Sequence, residues 1–294
     1  MRDDTPSRTA LWVAAARGLG MLLPPEARIA EDRYGTLFAS PTLAKLLERP
    51  GARPLAQIPG LKSWIVYMQV RTRVIDDAVR AFVADGGDQL VVLGAGYDTR
   101  ALRMPELAGT AVFEIDHPAT QAHKRTVLGR AGVDSPAHYV TWDFESRPLE
   151  ELAEELAAAG HDPTRPTCTI WEGVTMYLTE GAIDASLRAI ADWSAPGSRL
   201  AMTYFAKSRM ERPSLVTRAA QVVVSRLGEP FKFGWQPEEL PGYLADRGFT
   251  LAQDIAMRDA ASELLPASLA ASVQSADRRI ALAIAQESIA VAHC

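Results

Sequence analysis

The sequence predicts an α/β fold: an open, largely parallel sheet of seven strands, with a helical N-terminal extension and an insertion between strands 5 and 6. Three observations carry this. From Leu90 onward, short apolar runs alternate with segments of helical periodicity, the rhythm of βαβ units. The 294 residues are 48% hydrophobic and 23% charged, the proportions of an ordinary globular domain with length enough for a sizeable core. Two glycines stand directly after the first apolar run and a carboxylate ends the second, at the edge where open parallel sheets bind their ligands.

Residues 1–60 are helical and punctuated by proline. The apolar run Ala10 to Ala16 is too short for a membrane span, which needs about 18 residues, and so is Ile280 to Ala285. Asp3 and Asp4 before the first run and Arg17 after it argue against a signal peptide. It reads instead as a helix with Thr5 as cap, Pro6 in the first turn, and Leu11, Ala15, Leu19 and Leu22 on one stripe. A second helix carries Trp64, Met68, Ile75, Val79 and Phe82 at helical spacing. The strands expected after it are Leu90 to Leu93, Ala111 to Asp116, His138 to Asp143, Cys168 to Glu172, Arg199 to Phe205, Thr250 to Met257 and Ile280 to Gln286. Helices fall between them at Thr120 to Arg130, Leu149 to Ala159, Glu180 to Ser194, and from Pro237. Residues 206–236 are too long for a simple crossover, and with residues 1–60 they are candidates for a cover over the ligand edge of a domain spanning 61–294. Surface packing with no contact to substrate is the competing reading of both stretches.

Composition narrows the partners. Lys and Arg number 31 against 36 Asp and Glu, a net charge of -5 with no basic stripe, so no nucleic-acid partner is expected. Cys168 and Cys294 form neither a disulfide framework nor a CxxC metal site, which fits a reducing cytoplasm. His117 and His123 lack companions at metal-ligand spacing, and no metal is expected.

The strongest local signal is Gln89 to Arg100, a buried strand running into Gly94 and Gly96 and then a helix start that Asp98 or Thr99 can cap. Glycines here let the backbone turn tightly and lie against a nucleotide. Thr99 holds the third position of a GxGxxG, so the motif alone also fits a plain turn. Asp116 ends the next strand, near the offset of about 20 residues at which an acid accepts from ribose hydroxyls, although an Asp before Pro118 is also a common cap. Asp143 ends the third strand and can accept from an adenine amine, with the Phe144 N–H offered to the ring; a cap or turn role is the alternative. Arg71 shares the apolar stripe of its helix, and a buried guanidinium needs an anion, either a protein carboxylate or the carboxylate of a ligand.

Three ordered motifs resemble one family. They are Leu93-Gly-Ala-Gly-Tyr-Asp-Thr-Arg100, then Phe113-Glu-Ile-Asp-His-Pro118 followed by Lys124, then Trp171-Glu-Gly-Val-Thr-Met-Tyr-Leu178. Together they look like the leucine carboxyl methyltransferase family, which includes bacterial polyketide O-methyltransferases, with the similarity spanning Trp64 to Phe249. The resemblance implies a Rossmann-like, seven-stranded methyltransferase sheet with its last strand antiparallel, and S-adenosylmethionine (SAM) as cofactor, leaving as S-adenosylhomocysteine. It also implies that Arg71 holds the methionine carboxylate, Gly94 and Gly96 the adjoining backbone, Asp116 the ribose, Asp143 and Phe144 the adenine, and Glu172 the amino-acid end.

Methyl transfer from a sulfonium is an in-line displacement in which the protein supplies chiefly proximity and alignment. A carboxylate acceptor, with a pKa near ~4, is already ionised, whereas a phenol near ~10 needs a base. Directly after the fourth strand the chain reads Glu172-Gly-Val-Thr-Met-Tyr-Leu178, with no histidine, which leans toward a carboxyl acceptor, with His117 still a candidate to reach the site. Tyr177 and Tyr204 stand near the carboxyl edge, and Phe231, Phe233 and Trp235 end the insertion; either they line the acceptor pocket or they are ordinary packing. The expectation is a SAM-dependent O-methyltransferase acting on a carboxyl or hydroxyl oxygen of a small aromatic or polyketide-like metabolite, with catalytic residues and oligomeric state open. An NAD-dependent dehydrogenase and a non-catalytic SAM-binding protein are the alternatives.

Overall fold

Strands made of near-continuous apolar residues belong inside a sheet covered on both faces, and the central strands here are buried along their whole length. The computed structural model describes residues 5–39, 45, 50–144, 146–211 and 231–286. Its sheet comprises β1 (Gln89–Leu93), β2 (Ala111–Asp116), β3 (His138–Thr141), β4 (Cys168–Trp171), β5 (Arg199–Phe205), β6 (Phe249–Ala256) and β7 (Arg278–Ala285). The order is β3-β2-β1-β4-β5-β7-β6, with β7 antiparallel to both neighbours and the β1–β5 pairings parallel. The chain reverses its direction of travel across the sheet between β1 and β4, and at such a switch point the strand ends open a crevice.

The helices are α1 (Arg8–Leu19), α2 (Pro59–Ala84), α3 (Arg100–Arg103), α4 (Pro118–Arg130), α5 (Leu152–Ala158), α6 (Glu180–Asp192), α7 (Lys207–Glu211), α8 (Leu240–Ala245), α9 (Met257–Leu264) and α10 (Ala267–Ala270). Period-two alternation along the strands divides their side chains between two cores. Leu90, Val92, Ile170 and Ile280 pack with α2 and α9, while Val91, Leu93, Phe113, Trp171 and Met202 pack with α5, α6 and α8. Leu19, Leu23 and Ala27 of the N-terminal segment share the first core with Ile65, Met68 and Ile75 of α2, so this segment is built into the domain's own interior.

Some boundaries differ from those expected. Ser7, not Thr5, caps α1, because its Oγ accepts from the Ala10 N–H at 3.2 Å. The buried residues of α1 are Ala14, Ala16, Arg17, Gly18 and Leu19; Gly18 and Gly35 sit so close that a Cβ on Gly18 would meet Thr36 N at 2.4 Å. Strand β3 stops at Thr141, although the Trp142 N–H still donates to Asp116 O at 2.9 Å. Pro237 opens a turn, and α8 starts only at Leu240. Of the 206–236 insertion, residues 212–230 lie outside the described residues; its two ends are joined by Trp235 N–H donating to Phe205 O at 3.2 Å and Lys207 N–H donating to Trp235 O at 2.8 Å.

The turn after β1 demands glycine on two counts. Gly94 has φ +70°, and a Cβ there would meet Val174 Cγ2 at 2.8 Å. Gly94→Ala is therefore expected to cost about 1–3 kcal/mol from backbone conformation alone. A combined Gly94→Ala, Val174→Ala variant should recover only the steric part. Thermal unfolding of the two variants checks this, and a single variant melting with the parent protein would count against it.

Candidate cofactor-binding site

The glycine turn and Asp116 form one unit. Gly94 and Ala95 donate their N–H groups to Ile115 O at 2.9 Å, and Gly96 donates to Asp116 Oδ2 at 2.5 Å. The other carboxylate oxygen of Asp116 accepts from the His117 N–H at 2.6 Å. Burial pushes the Asp116 carboxyl up from its ordinary range, and these two N–H groups oppose that shift. With its position set by two backbone donors, Asp116 keeps further lone pairs on both oxygens for a hydroxyl-bearing ligand.

Beside it lies a buried charge network. Arg71, 6% exposed, comes from α2 and Glu172 from the turn after β4; Arg71 Nε stands 2.7 Å from Glu172 Oε1, a charge contact whose angle falls short of a hydrogen bond. Glu172 Oε2 lies 3.0 Å from Arg100 Nη1. Arg100 also donates from Nε to Asp76 Oδ1 at 2.8 Å and from Nη1 to Asp98. Arg103 closes on Asp76 with two bonds, at 2.6 and 2.8 Å. Burial disfavours the Glu172 carboxylate, but Arg71 and Arg100 outweigh it and pull the group down to about 2. Asp98 is likewise held well below the usual range: burial works to raise it, and Arg100, Arg17 and Lys124 overcome that.

A carboxyl depressed in the folded state stabilises the fold above its unfolded pKa and loses that contribution as pH falls toward the folded value. For Glu172 the window runs from the ordinary glutamate value of 4.5 down to about 2. Melting temperature is expected to fall across that window more steeply in the parent protein than in Glu172→Gln, which has no carboxyl to protonate. Parallel pH profiles of the two would refute the assignment.

Arg100, Asp98 and Asp76 were not singled out as site residues from the sequence. A signal existed for Asp76, which follows Met68 and Thr72 at i, i+4, i+8 and so continues the buried side of α2. For Arg100 none existed, because two of its three partners, Asp76 and Glu172, lie on separate elements.

On the far side of Asp116, Asp143 lies two residues past β3. Its Oδ2 accepts from Ser146 Oγ at 2.7 Å and its backbone oxygen accepts from the Arg147 N–H at 2.9 Å. The neighbouring Phe144 is 39% exposed at the same edge. Arg71, Gly94, Gly96, Asp116, Asp143 and Glu172 thus stand at or just beyond the ends of β1, β2, β3 and β4 or on the helix facing them. The N-terminal segment crosses this edge: a Cβ on Gly96 would meet the Ala10 Cβ at 3.1 Å, Arg17 Nη2 donates to Tyr97 O at 2.5 Å, and the Ser7 N–H donates to Thr120 Oγ1 at 3.3 Å. A cleft of about 620 Å³ between α1 and α4, lined by Trp12, Phe38, His123 and Arg130 among others, includes none of these residues in its lining.

Three expectations are corrected. Tyr204 does not reach an open edge: its ring is 1% exposed in the core beside α6, and its hydroxyl donates to Asp254 Oδ2 at 2.8 Å. Trp235 packs edge-on against Tyr204 in that same core and is 3% exposed. His117 is committed as a cap, its Nδ1 accepting from the Ala119 N–H at 3.2 Å. Tyr177, by contrast, is half-buried at the edge, 5.6 Å from the ring of Phe231, which in turn meets Phe205 edge-on at 5.0 Å. Among the described residues no cluster has the make-up of a metal site, and no helix is long and apolar enough to cross a membrane.

This sheet order, its antiparallel last strand and its edge site define a Rossmann-like methyltransferase fold. The architecture is shared with a crystal structure of a candidate methyltransferase from Thermobifida fusca: TM-score 0.56 at 18% identity, covering 92% of this chain and 97% of that one. The chain belongs to the leucine carboxyl methyltransferase family, whose model matches residues 10–191. A Frankia alni protein named as a candidate S-adenosyl-L-methionine-dependent methyltransferase is 33% identical over 260 residues, 87% of this chain and 78% of that protein. A Streptomyces coelicolor protein named likewise is 36% identical over 183 residues, a match that spans 61% of this chain and 61% of that relative's length. SAM is the cofactor that goes with this family, and the edge fits it: positive-φ glycines turn the bare backbone at the end of β1, a carboxylate is pinned beside that turn, and a guanidinium stands at its other end.

Proposed function

We propose that this protein is a SAM-dependent methyltransferase that methylates a carboxyl or hydroxyl oxygen of a small aromatic or polyketide-like acceptor. The observation that carries the reading is the convergence of Arg71, the Gly94–Gly96 turn, Asp116 and Asp143 on one sheet edge, spaced along it in the order of an amino acid, a ribose and a purine. When bound, SAM supplies an activated methyl group on a sulfonium. The chain's task is then to hold and align. Arg71 takes the amino-acid carboxylate, the Gly94–Gly96 backbone lies along the chain to the sugar, Asp116 accepts from the ribose hydroxyls, and Asp143 with the Phe144 N–H takes the adenine.

Helix α1 acts as a cover. Ala10 against Gly96, and Arg17 bonded to Tyr97 O, seat α1 over the turn that would hold the ligand, which excludes water from the reacting atoms. On the acceptor side, Phe231 from the end of the insertion lies beside Tyr177 and meets Phe205, the last residue of β5. Alignment of this kind is worth up to about 7–11 kcal/mol in oriented systems, so an ionised acceptor needs no base.

Mixing the protein with labelled SAM and extract of the producing cell, and following small molecules that gain one methyl by mass spectrometry, tests the reading. Methylated product together with SAM affinity by calorimetry is the expected result. NADH binding in place of SAM would overturn it, and firm SAM affinity with no labelled product would turn it toward a binding protein.

A further inference from the structure

Most arginines at this edge are neutralised by protein carboxylates: Arg71 by Glu172, Arg100 by Asp76, Asp98 and Glu172, and Arg279 by Asp254. Two are not. Arg209 on α7 is 8% exposed, and its Nε has no hydrogen-bond partner. Its guanidinium lies 4.9 Å from the centre of the Phe205 ring. Arg278, the first residue of β7, pairs in register with Phe205, and its guanidinium lies 4.4 Å from the centre of Tyr67 and 5.7 Å from that of Trp64. Among the described residues neither makes an ion pair. The nearby Asp277 accepts from Ser208 Oγ at 3.0 Å instead. Burial, and then repulsion from Arg278, bring Arg209 down to about 10 against smaller opposing contributions from Tyr67 and Asp277, so the fold crowds two cations that it neutralises only in part.

A buried guanidinium without an anion is costly, and aromatic faces offset only part of that cost. Tyr67 and Trp64 occupy the same α2 stripe as Arg71, whose guanidinium lies 5.8 Å from the centre of Tyr67. The unpaired arginines therefore flank the amino-acid end of the cofactor site, past the end of β5, and Phe205, Phe231 and Tyr177 supply apolar rings next to them.

Building on the methyltransferase reading, we propose that Arg209 and Arg278 form an anion-binding subsite that grips a carboxylate of the acceptor as a handle, separate from the oxygen that is methylated. The separation follows from chemistry. A carboxylate held by two guanidinium groups has its lone pairs engaged and its charge neutralised, which makes it a poor nucleophile toward a sulfonium. The acceptor is thus an acid that presents a second oxygen to the methyl group.

The probe is naphthalene-2-carboxylate, with naphthalene-2-carboxamide as its neutral isostere and inorganic sulfate as a bare anion, each titrated into the full-length protein saturated with S-adenosylhomocysteine. The acid is expected to bind and the amide to bind at least tenfold more weakly. Arg278→Gln, at a partly exposed position, is expected to weaken acid binding by about tenfold or more while SAM affinity stays unchanged, the loss of one charge-assisted contact. Arg209→Gln should do the same. Equal binding of acid and amide, binding of sulfate alone, or acid affinity unmoved by Arg278→Gln would overturn the subsite. Supplying labelled SAM with the naphthoate should give no base-labile methyl ester; an ester would overturn the separation of handle and methylated oxygen. Loss of SAM binding by the parent protein would instead overturn the methyltransferase reading.

Discussion

Arg100→Ala is expected to be the most destabilising single change at this site, lowering stability by about 3–5 kcal/mol, the range seen when one partner is removed from a buried ionic cluster. For a chain of this size that corresponds to a fall in melting temperature on the order of 10 °C. The reason is the count of charges left behind. Arg100 is 2% exposed and serves Asp76, Asp98 and Glu172, themselves nearly inaccessible. Without it Asp76 keeps Arg103, and Glu172 keeps Arg71, but Asp98 keeps only more distant cations and the Arg100 backbone N–H that its Oδ1 accepts at 2.7 Å. Arg100→Lys should recover only part of the loss, since an ammonium cannot present the planar fork that reaches three carboxylates at once. Differential scanning calorimetry of both variants is the measurement. A fall of less than about 3 °C in Arg100→Ala would show that the network carries little of the fold's stability.

The contrast between Arg100 and the glycine turn shows where sequence reading succeeds and where it stops. The strands of the central sheet are legible because strands buried on both faces must be apolar throughout, and nothing polar interrupts Leu90 to Leu93 or Ala111 to Phe113. The glycines and Asp116 are legible for a related reason: each stands within three residues of a strand end, and the fold class places strand ends together. Arg100 sits in the same motif, yet its role depends on Asp76 in the preceding helix and Glu172 beyond the fourth strand, a convergence that only the folded chain brings about.

On the acceptor side, strand parity decides between pocket lining and packing. Tyr204 follows Leu200 and Met202 at intervals of two, so its ring joins theirs in the core beside α6, while Phe205 turns toward α2. Counting from Leu200 would have chosen Phe205 over Tyr204. The end of the insertion leaves Trp235 open to either role, and the bridge that ties it to Ala206 draws it inward onto Tyr204. The Arg209 and Arg278 pair lies next to Phe205 rather than Tyr204.

Asp116→Ala and Arg71→Ala are expected to abolish SAM affinity by different routes, and the difference identifies what each residue does. Asp116 lost as an acceptor removes charge-assisted bonds worth about 1.5–3 kcal/mol each, so two ribose hydroxyls correspond to a hundredfold or greater loss. It also strands the Gly96 and His117 N–H groups, so its melting temperature should fall as well. Asp116→Asn separates these effects, because an amide oxygen still accepts from one N–H while the charge that ribose hydroxyls favour is gone. Arg71→Ala leaves Glu172 paired with Arg100, so the fold should persist while the amino-acid end of the ligand loses its anchor. The expected signature is thus a large loss of affinity for both variants, with adenosine, which lacks the amino-acid end, discriminated only by the Asp116 changes. Calorimetric titration with SAM, S-adenosylhomocysteine and adenosine reads all three. If Arg71→Ala weakened adenosine as much as SAM, Arg71 would be acting on the shape of the turn and not on the ligand's carboxylate.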